Sequence, residues 1–151
     1  MLARALAAFL ALPGVVAFAL PITIGLAGRY PVRYPLLAGV LLVGGVFVLL
    51  WSVREFYVAG RGTLAPWAPP QRLVTGGPYR FSRNPMYIGV FTILVGWSTL
   101  WASGVLLSYA VLVLCAFYLR VLLAEEPLAA RRFGGEWDAY RAHVPRWLWI
   151  F

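Results

Sequence analysis

Long apolar segments alternate with short polar ones along the chain. Four segments carry almost no charged residue, and they occupy residues 5–27, 35–53, 85–102 and 104–124. A helix of about 20 apolar residues crosses the hydrocarbon core of a bilayer, so each segment is long enough to span it. The pattern predicts an all-α, polytopic membrane protein with about four transmembrane helices. It leaves open whether the first helix spans cleanly past Pro13 and Pro21.

The third and fourth apolar segments are separated by little more than Ser103 and Gly104. Two helices joined so closely form an antiparallel hairpin. The chain is therefore predicted to be one membrane domain, residues 1–151, in four parts. These are two N-terminal transmembrane helices (1–53), a cytoplasmic loop (54–84), the transmembrane hairpin (85–124) and a cytoplasmic C-terminal helical segment (125–151).

Proline and glycine subdivide the polar parts. The loop at 54–84 is rich in both residues and is not predicted to be helical. Pro127 suits the first turn of a new helix after the fourth apolar segment. Gly134–Gly135 predicts a break into two short helices, and the aromatic residues of 145–151 predict an anchor at the membrane interface.

Composition supports the membrane interpretation. Apolar residues make up 62% of the 151 positions and charged residues only 12%, too few polar residues to coat a soluble core. The 13 basic residues, all arginine, outnumber the five acidic ones and give a formal charge of +8. Nucleic-acid binding would place them on one soluble face among aromatic residues. They lie instead at the ends of the apolar segments, so no nucleic-acid partner is predicted.

The arginines also predict an orientation. The N-terminus, the middle loop and the C-terminal segment hold one, five and four of them, whereas the other two connections hold two and none. Positive residues accumulate on the cytoplasmic side of a membrane. We therefore expect an integral protein of a bacterial-type inner membrane, with its polar side facing the cytoplasm.

Cysteine and histidine contribute little chemistry. Cys115 is the single cysteine and lies in an apolar segment, so there is no disulfide framework. His143 is the single histidine and has no neighbouring ligand set, so no metal site is predicted. A soluble dinucleotide-binding glycine motif is also lacking.

The hairpin brings two distant polar segments to one level. If it turns near Gly104, Arg83 and Glu125 are each 21 positions from the turn. Both arms rise by about 1.5 Å per residue, so residues 83–87 are expected beside Glu125–Glu126. No arginine stands three or four residues from either glutamate, and both are predicted to lie at a helix C-terminus, where negative charge is disfavoured. Arg83, across the hairpin, is one candidate for the compensating partner.

The polar groups around residues 83–87 and Glu125–Glu126 suit a ligand that carries both a negative and a positive charge. A helix that begins at Pro85, with Ser82 or Asn84 as its cap, offers free N–H groups to a carboxylate. The guanidinium of Arg83 adds a donor pair. The remaining groups are the aromatic faces of Tyr79 and Tyr87 for a cation and the carboxylates of Glu125 and Glu126 for an ammonium or hydroxyl group.

Arg120 lies inside the fourth apolar segment, about one turn from its cytoplasmic end. An intramembrane arginine marks a functional site by default. Extension of its side chain to the interface is the competing interpretation.

Several motifs in this order resemble one membrane enzyme family. They are Leu73–Tyr79 (LVTGGPY), Arg83–Gly89 (RNPMYIG), Glu125–Glu126, Phe133–Tyr140 (FGGEWDAY) and Val144–Arg146 (VPR). The set resembles the isoprenylcysteine carboxyl methyltransferase and phospholipid methyltransferase family and covers residues 62–146. The resemblance implies a membrane-embedded, S-adenosylmethionine-dependent methyltransferase with a lipid or another membrane-partitioned acceptor.

The resemblance also implies roles for individual residues. Arg83 and Glu126 are the expected catalytic pair, and Arg120 is the expected contact with the acceptor. The expected cofactor-binding residues are Gln71, Leu73, Val74, Tyr79, Asn84, Pro85, Met86, Tyr87, Glu125 and Glu126.

One position departs from the family pattern, which most often reads Arg-His-Pro where Asn84 stands here. Asparagine donates hydrogen bonds but transfers no proton. Methyl transfer is an in-line displacement that depends on positioning, and a carboxylate or thiolate acceptor needs no base, whereas an amine does. The sequence favours an anionic acceptor and leaves an amine possible. Two alternatives remain: an NADPH-dependent membrane reductase, whose pattern has Asn where Met86 stands, and a non-catalytic membrane assembly protein.

Overall fold

The computed structural model describes residues 10–60 and 71–148, and this part of the chain is helical without a β-strand. The first helix has a π-helical segment, Leu10–Ala19, that continues into α1, Leu20–Ala27. It is followed by α2 (Pro35–Val58), a 3-10 turn (Gly77–Arg80), α3 (Pro85–Trp101), α4 (Gly104–Arg120), a π-helical turn (Val121–Glu125), α5 (Glu126–Phe133) and α6 (Gly135–His143). Residues 1–9 and 149–151 at the two ends of the sequence, and residues 61–70 of the middle loop, lie outside the described residues.

Two helices are long and apolar enough to cross a bilayer, Pro35–Val58 and Gly104–Phe133. The first helix, Pro13–Ala27 in its apolar part, and α3, Pro85–Trp101, are shorter apolar helices. The described residues are therefore all-α and include two candidate membrane-spanning helices. Four complete crossings and the cytoplasmic position of the C-terminal segment stay predictions.

Two helix ends differ from the sequence prediction. The second helix continues to Val58 rather than ending at Val53. The fourth does not end at Ala124, because the π-helical turn carries it into α5 as far as Phe133. Pro127 lacks an N–H and so would interrupt a regular helix. The N–H of Glu126 instead reaches back five residues to the carbonyl of Val121, and the helix passes the proline without stopping.

Glycines bring the backbones of α2 and α3 close together. A Cβ at Gly45 would lie 2.9 Å from the carbonyl oxygen of Gly89, and a Cβ at Gly89 would lie 2.8 Å from the backbone nitrogen of Leu49. Around this contact Leu49, Ile93 and Leu94 form a buried core. The glycines let the two backbones approach as small residues do between membrane helices.

The third and fourth helices form the tight hairpin. Helix α3 ends at Trp101, and Ala102 adopts a left-handed conformation with φ of 46°. Ser103 then caps α4, since its Oγ accepts a hydrogen bond from the N–H of Leu106 at 3.4 Å. The turn therefore lies at Ala102–Ser103, immediately before the predicted position at Gly104.

The first helix is held to this hairpin by two hydrogen bonds to its backbone. Pro21 stands four residues after Ala17 and five after Val16, and it has no N–H to offer their carbonyls. The indole Nε1 of Trp97 donates to the carbonyl of Ala17 at 2.9 Å, and the hydroxyl of Tyr109 donates to that of Val16 at 3.0 Å. Side chains of α3 and α4 thus bind backbone carbonyls of the first helix close to a proline that has no N–H to donate.

The C-terminal segment folds back on the start of α3. Helices α5 and α6 are separated at Gly134, with φ of 52°, in agreement with the predicted break at Gly134–Gly135. Beyond α6, the carbonyl of Pro145 accepts a hydrogen bond from the N–H of Arg83 at 2.9 Å. Trp147, from the predicted aromatic anchor, stacks on Tyr118 of α4 with ring centroids 6.3 Å apart. Residues 149–151 of that anchor lie outside the described residues.

Candidate functional site

A cavity of about 470 Å³ lies where the first helix, the hairpin and the C-terminal helices meet. Its volume falls within the range of about 300–1,000 Å³ that is usual for small-molecule and cofactor sites. Its lining combines apolar side chains, among them Val16 and Val90, with charged ones, among them Arg83, Arg120 and Glu125. We call these two sets of residues the apolar half and the polar half of the cavity.

Most of the residues predicted from the sequence line this cavity. They are Leu73, Val74, Tyr79, Arg83, Asn84, Met86, Tyr87, Arg120, Glu125 and Glu126. Gln71 and Pro85 are not part of the lining. The Gln71 N–H donates to the carbonyl of Gly60 at 2.8 Å, and Pro85 is a buried residue at the start of α3.

The apolar half of the cavity includes the N-terminal helices. Pro13 and Val16 of the first helix and Phe56 of α2 line it together with Val90 and Phe117. The first two helices therefore contribute directly to the site, which the sequence did not predict. The sequence could not show this, because the contacts depend on how the first helix leans on the hairpin.

Glu125 is the centre of one polar cluster. Its Oε1 accepts a hydrogen bond from the Tyr87 hydroxyl. It accepts a second from Arg120 Nε, and these two atoms are 2.7 Å apart. The Tyr87 ring stacks on Phe117 with centroids 4.3 Å apart. Residues five apart superpose where a helix makes π-type hydrogen bonds, so the turn at Val121–Glu125 aligns Arg120 with Glu125. A search for partners at three or four residues overlooks this pair.

Glu126 is the centre of a second cluster. Arg83 Nη1 lies 3.0 Å from its Oε1, so the candidate compensating partner is in contact. Arg146 also binds Glu126, through Nε to Oε1 and Nη2 to Oε2, both at 2.8 Å. Glu126 begins α5 and is not at the helix C-terminus that the sequence predicted.

The guanidinium of Arg83 is enclosed by the protein. Only 12% of its side chain is exposed, and it lies over the Trp137 ring at 5.6 Å from the centroid. Burial lowers the pKa of Arg83, and the neighbouring Glu126 opposes that shift. Its Nε is buried without a hydrogen-bond partner among the described residues. A buried donor without a partner costs free energy, so its presence calls for an explanation such as a functional role.

Neither predicted cap binds the first turn of α3. Asn84 makes no side-chain cap hydrogen bond. The Ser82 Oγ instead accepts from the Asn84 N–H at 3.1 Å, before the helix begins. The Asn84 side chain donates from Nδ2 to the carbonyl of Arg146 at 2.9 Å. At the position of the family histidine, asparagine thus ties two backbone segments together.

Tyr79 forms part of the wall and is deeply buried. Its carbonyl accepts a hydrogen bond from the Tyr140 hydroxyl at 2.7 Å. Burial raises the pKa of the Tyr79 phenol, with a smaller contribution from Tyr140, so the phenol stays protonated at neutral pH. Tyr79 therefore offers a neutral ring rather than a base.

Several wall residues were not predicted as site residues. They include Arg72, Phe117, Arg132, Trp137 and Tyr140. Trp137 and Tyr140 stand three residues apart in α6, a spacing that would have predicted one buried face. Arg146 belonged to the motif Val144–Arg146, but nothing in the sequence indicated its partner. Among the described residues no cluster of three or more His, Cys, Asp or Glu side chains could hold a metal.

Comparison with known proteins shows which family this chain belongs to. The family model described as phospholipid methyltransferase matches residues 34–136. The nickel-cobalt-cadmium resistance protein NccN of Alcaligenes xylosoxydans xylosoxydans is 30% identical over 112 residues, covering 72% of this chain and 49% of that protein. The protein-S-isoprenylcysteine O-methyltransferase of Schizosaccharomyces pombe is 34% identical over 73 residues, covering 48% of this chain and 31% of that protein.

The chain thus spans about half the length of the first relative and about a third of the second. No solved structure matches it. The family match covers more than half of the chain and includes α2, the hairpin and the start of α6. The chain belongs to the phospholipid methyltransferase family.

Proposed function

We propose that this protein transfers a methyl group from S-adenosylmethionine to an acceptor that reaches the cavity from the bilayer. The observation that carries the proposal is that one cavity is lined by both apolar and charged side chains. Val16 and Val90 belong to the apolar half, and Arg83, Arg120 and Glu125 belong to the polar half. A polar methyl donor and a membrane-partitioned acceptor need both halves at once.

The chemistry of the polar half fits this cofactor. When bound, S-adenosylmethionine supplies a methyl group carried on a positively charged sulfur. The acceptor would take this methyl group in an in-line displacement, with the sulfur as the leaving group. The stacked rings of Tyr87 and Phe117 offer aromatic faces to a cation. Arg83 would pair with the carboxylate, and Glu125 would accept from ammonium or hydroxyl groups. Arg83 Nε, buried without a partner among the described residues, agrees with a site that has an anionic ligand nearby.

Glu126 has less capacity for a ligand than the sequence suggested. Both of its oxygens are engaged by Arg146, and one of them also by Arg83. It would contribute to methyl transfer mainly by holding Arg83, so that of the expected catalytic pair Arg83 is the member that contacts the ligand. We thus propose that Arg83 contacts the ligand and that Glu126 positions Arg83.

The groups around the cavity favour an anionic acceptor. Glu125 and Glu126 both line it, and both are paired with arginine. Neither is an unengaged base of the kind that an amine acceptor requires. Arg72, Arg120 and Arg132 also line the cavity and attract an anion. A carboxylate or thiolate group on a lipid-soluble molecule fits these conditions best, and Arg120 is the proposed contact with it.

The names of the relatives bear on this proposal to different degrees. The Schizosaccharomyces pombe relative is named for O-methylation of an isoprenylcysteine, which agrees with an oxygen acceptor on a lipid-modified group. The resistance protein is named for nickel, cobalt and cadmium, but no feature of the described residues favours a metal function here. Nothing favours an NADPH reductase or a non-catalytic assembly role over methyl transfer. We further propose that the protein lies in a bacterial-type inner membrane with the polar half of the cavity toward the cytoplasm.

Titration calorimetry of the detergent-purified protein tests the proposal. S-adenosylhomocysteine should bind, and NADPH should not. Glu125→Ala should weaken binding of S-adenosylhomocysteine at least tenfold, whereas the matched change Glu136→Ala, at an exposed glutamate of α6, should not alter it. Binding of NADPH alone would overturn the proposal. A labelled methyl donor offered with a membrane lipid extract would then identify the acceptor.

A further inference from the structure

We infer that Arg146 is a positioning residue of this site, which acts from outside the cavity by fixing Glu126 and, through it, Arg83. The inference rests on the proposed function, because Arg83 is the group that would contact the methyl donor. Arg83 and Glu126 line the cavity, whereas Arg146 does not. Its effect on a ligand must therefore pass through another side chain.

The contact between Arg146 and Glu126 is a two-point one. Nε lies 2.8 Å from Oε1, and Nη2 lies 2.8 Å from Oε2. Such a pair restrains the plane of the carboxylate as well as its position. A lysine in this place would supply one charge without the second point. The Glu126 side chain is only 16% exposed, so this restraint is poorly screened by solvent.

The backbone of Arg146 is itself tied to the start of α3. Its carbonyl accepts from Asn84 Nδ2 at 2.9 Å and from Ser82 Oγ at 3.2 Å. The preceding carbonyl, of Pro145, accepts from the N–H of Arg83. Along the chain, Arg146 is 62 residues from Asn84 and 20 residues from Glu126. Arg146 thus connects the beginning of α3 with the beginning of α5, the two ends that form the polar half of the cavity.

This connection determines the charge that Arg83 presents. Two arginines share one carboxylate, and the three groups together keep one positive charge. If Arg146 is removed, Glu126 remains as the partner of Arg83 alone, neutralises it and is free to turn. Both changes weaken the attraction of Arg83 for an anionic group in the cavity. Preorganised charges lose this advantage when their supporting residues are removed.

A double-mutant cycle on the full chain tests the inference. Binding of S-adenosylhomocysteine is measured by calorimetry for Arg146→Gln, Glu126→Gln and the double variant. We expect Arg146→Gln to weaken binding about tenfold and to have less than a twofold further effect once Glu126 is glutamine, because the arginine then has no carboxylate to hold. The control is Arg141→Gln, at an exposed arginine of α6 that pairs with Asp138, and it should change binding less than twofold.

The outcomes separate the two proposals. Arg146→Gln binding within twofold of the wild type, or two effects that simply multiply in the double variant, would overturn the role of Arg146 while methyl transfer stands. Absence of binding to the wild-type protein would overturn both. If Arg146→Gln does not fold, Arg146→Lys takes its place in the cycle, with an expected three- to tenfold loss that again depends on Glu126. A general loss of structure would weaken binding equally in both backgrounds.

Discussion

Arg120 donates a hydrogen bond from Nε to Glu125 Oε1 at 2.7 Å although the two residues are five apart in one helix. The π-helical turn Val121–Glu125 makes the contact possible. The same carboxylate accepts from the Tyr87 hydroxyl of α3, so it joins the two arms of the hairpin. Arg120 is therefore held at the edge of the cavity instead of extending freely to the interface.

Replacement of Arg120 by glutamine tests its proposed contact with the acceptor. About half of the side chain is exposed, and it reaches Glu125 without being part of the cluster around Glu126. We expect the KM for the acceptor to rise roughly tenfold, as loss of a charged hydrogen bond predicts. The Kd of S-adenosylhomocysteine should rise only about threefold, because Glu125 loses one of its two restraints. Arg131→Gln, at an exposed arginine outside the cavity lining, is the control. Equal losses in both constants would place Arg120 with the methyl donor instead.

The Tyr87 hydroxyl provides a second test of the Glu125 cluster. Tyr87→Phe removes the hydrogen bond to Glu125 but keeps the ring against Phe117. We expect the affinity for S-adenosylhomocysteine to fall about three- to tenfold in calorimetry, because the carboxylate loses one of its two restraints. Tyr34→Phe, at an exposed tyrosine of the same ring type, should leave the affinity unchanged. An unaltered Tyr87→Phe affinity would show that Arg120 alone is enough to hold Glu125.

Asn84 distinguishes a structural role from a proton-transferring one at the position of the family histidine. It is 8% exposed and donates to the carbonyl of Arg146. Asn84→Ala should lower the free energy of unfolding by about 1–2 kcal/mol, because buried groups lose a partner. Asn84→Asp places a carboxylate against that carbonyl and should destabilise the protein more at pH 8 than at pH 5, since protonation restores a donor. Asn84→His should keep activity, and its pH profile should match the wild type if this position moves no proton.

Part of this site was accessible from the sequence because it depends on short-range rules. Helix lengths and a tight turn are local properties, so the hairpin placed residues 83–87 and Glu125–Glu126 at one level. The pairing within that level was predicted less well. Arg83 meets Glu126 while Glu125 meets Tyr87 and Arg120. The π-helical turn Val121–Glu125 decides this pairing, and no pattern in the sequence predicted that turn. Pro127 lies in the first turn of α5, as predicted.

The contributions of both ends of the described chain were not accessible from the sequence. Arg146 follows a chain reversal at Gly134 with positive φ, and no periodicity carries across such a reversal. Val16 reaches the cavity because side chains of α3 and α4 bind the backbone of the first helix. Both contacts depend on tertiary packing, to which a hydrophobic pattern is insensitive.

The glycines between α2 and α3 allow a matched comparison at neighbouring positions. A Cβ at Gly45 would meet backbone atoms of Gly89 and Ile93 at 2.9 Å, whereas a Cβ at Gly44 meets nothing within 4 Å. Gly45→Ala should lower the free energy of unfolding by about 1–3 kcal/mol, because backbone cannot move aside as a side chain can. Gly44→Ala should be neutral or stabilise by up to about 1 kcal/mol. Thermal unfolding in detergent measures both, and similar effects would contradict the close approach of these helices.

The Tyr109 hydroxyl attaches the first helix to the hairpin, and Tyr109→Phe removes its hydrogen bond to the carbonyl of Val16. We expect a loss of about 1–2 kcal/mol in the free energy of unfolding, since a part-buried hydrogen bond between two helices is lost. Tyr57→Phe, at an exposed tyrosine of α2, is the control and should change stability by less than about 0.5 kcal/mol. Because Val16 lines the cavity, Tyr109→Phe should also raise the KM for the acceptor more than the Kd of S-adenosylhomocysteine. Loss of stability with both constants unchanged would show that the first helix supports the fold without shaping the apolar half of the site.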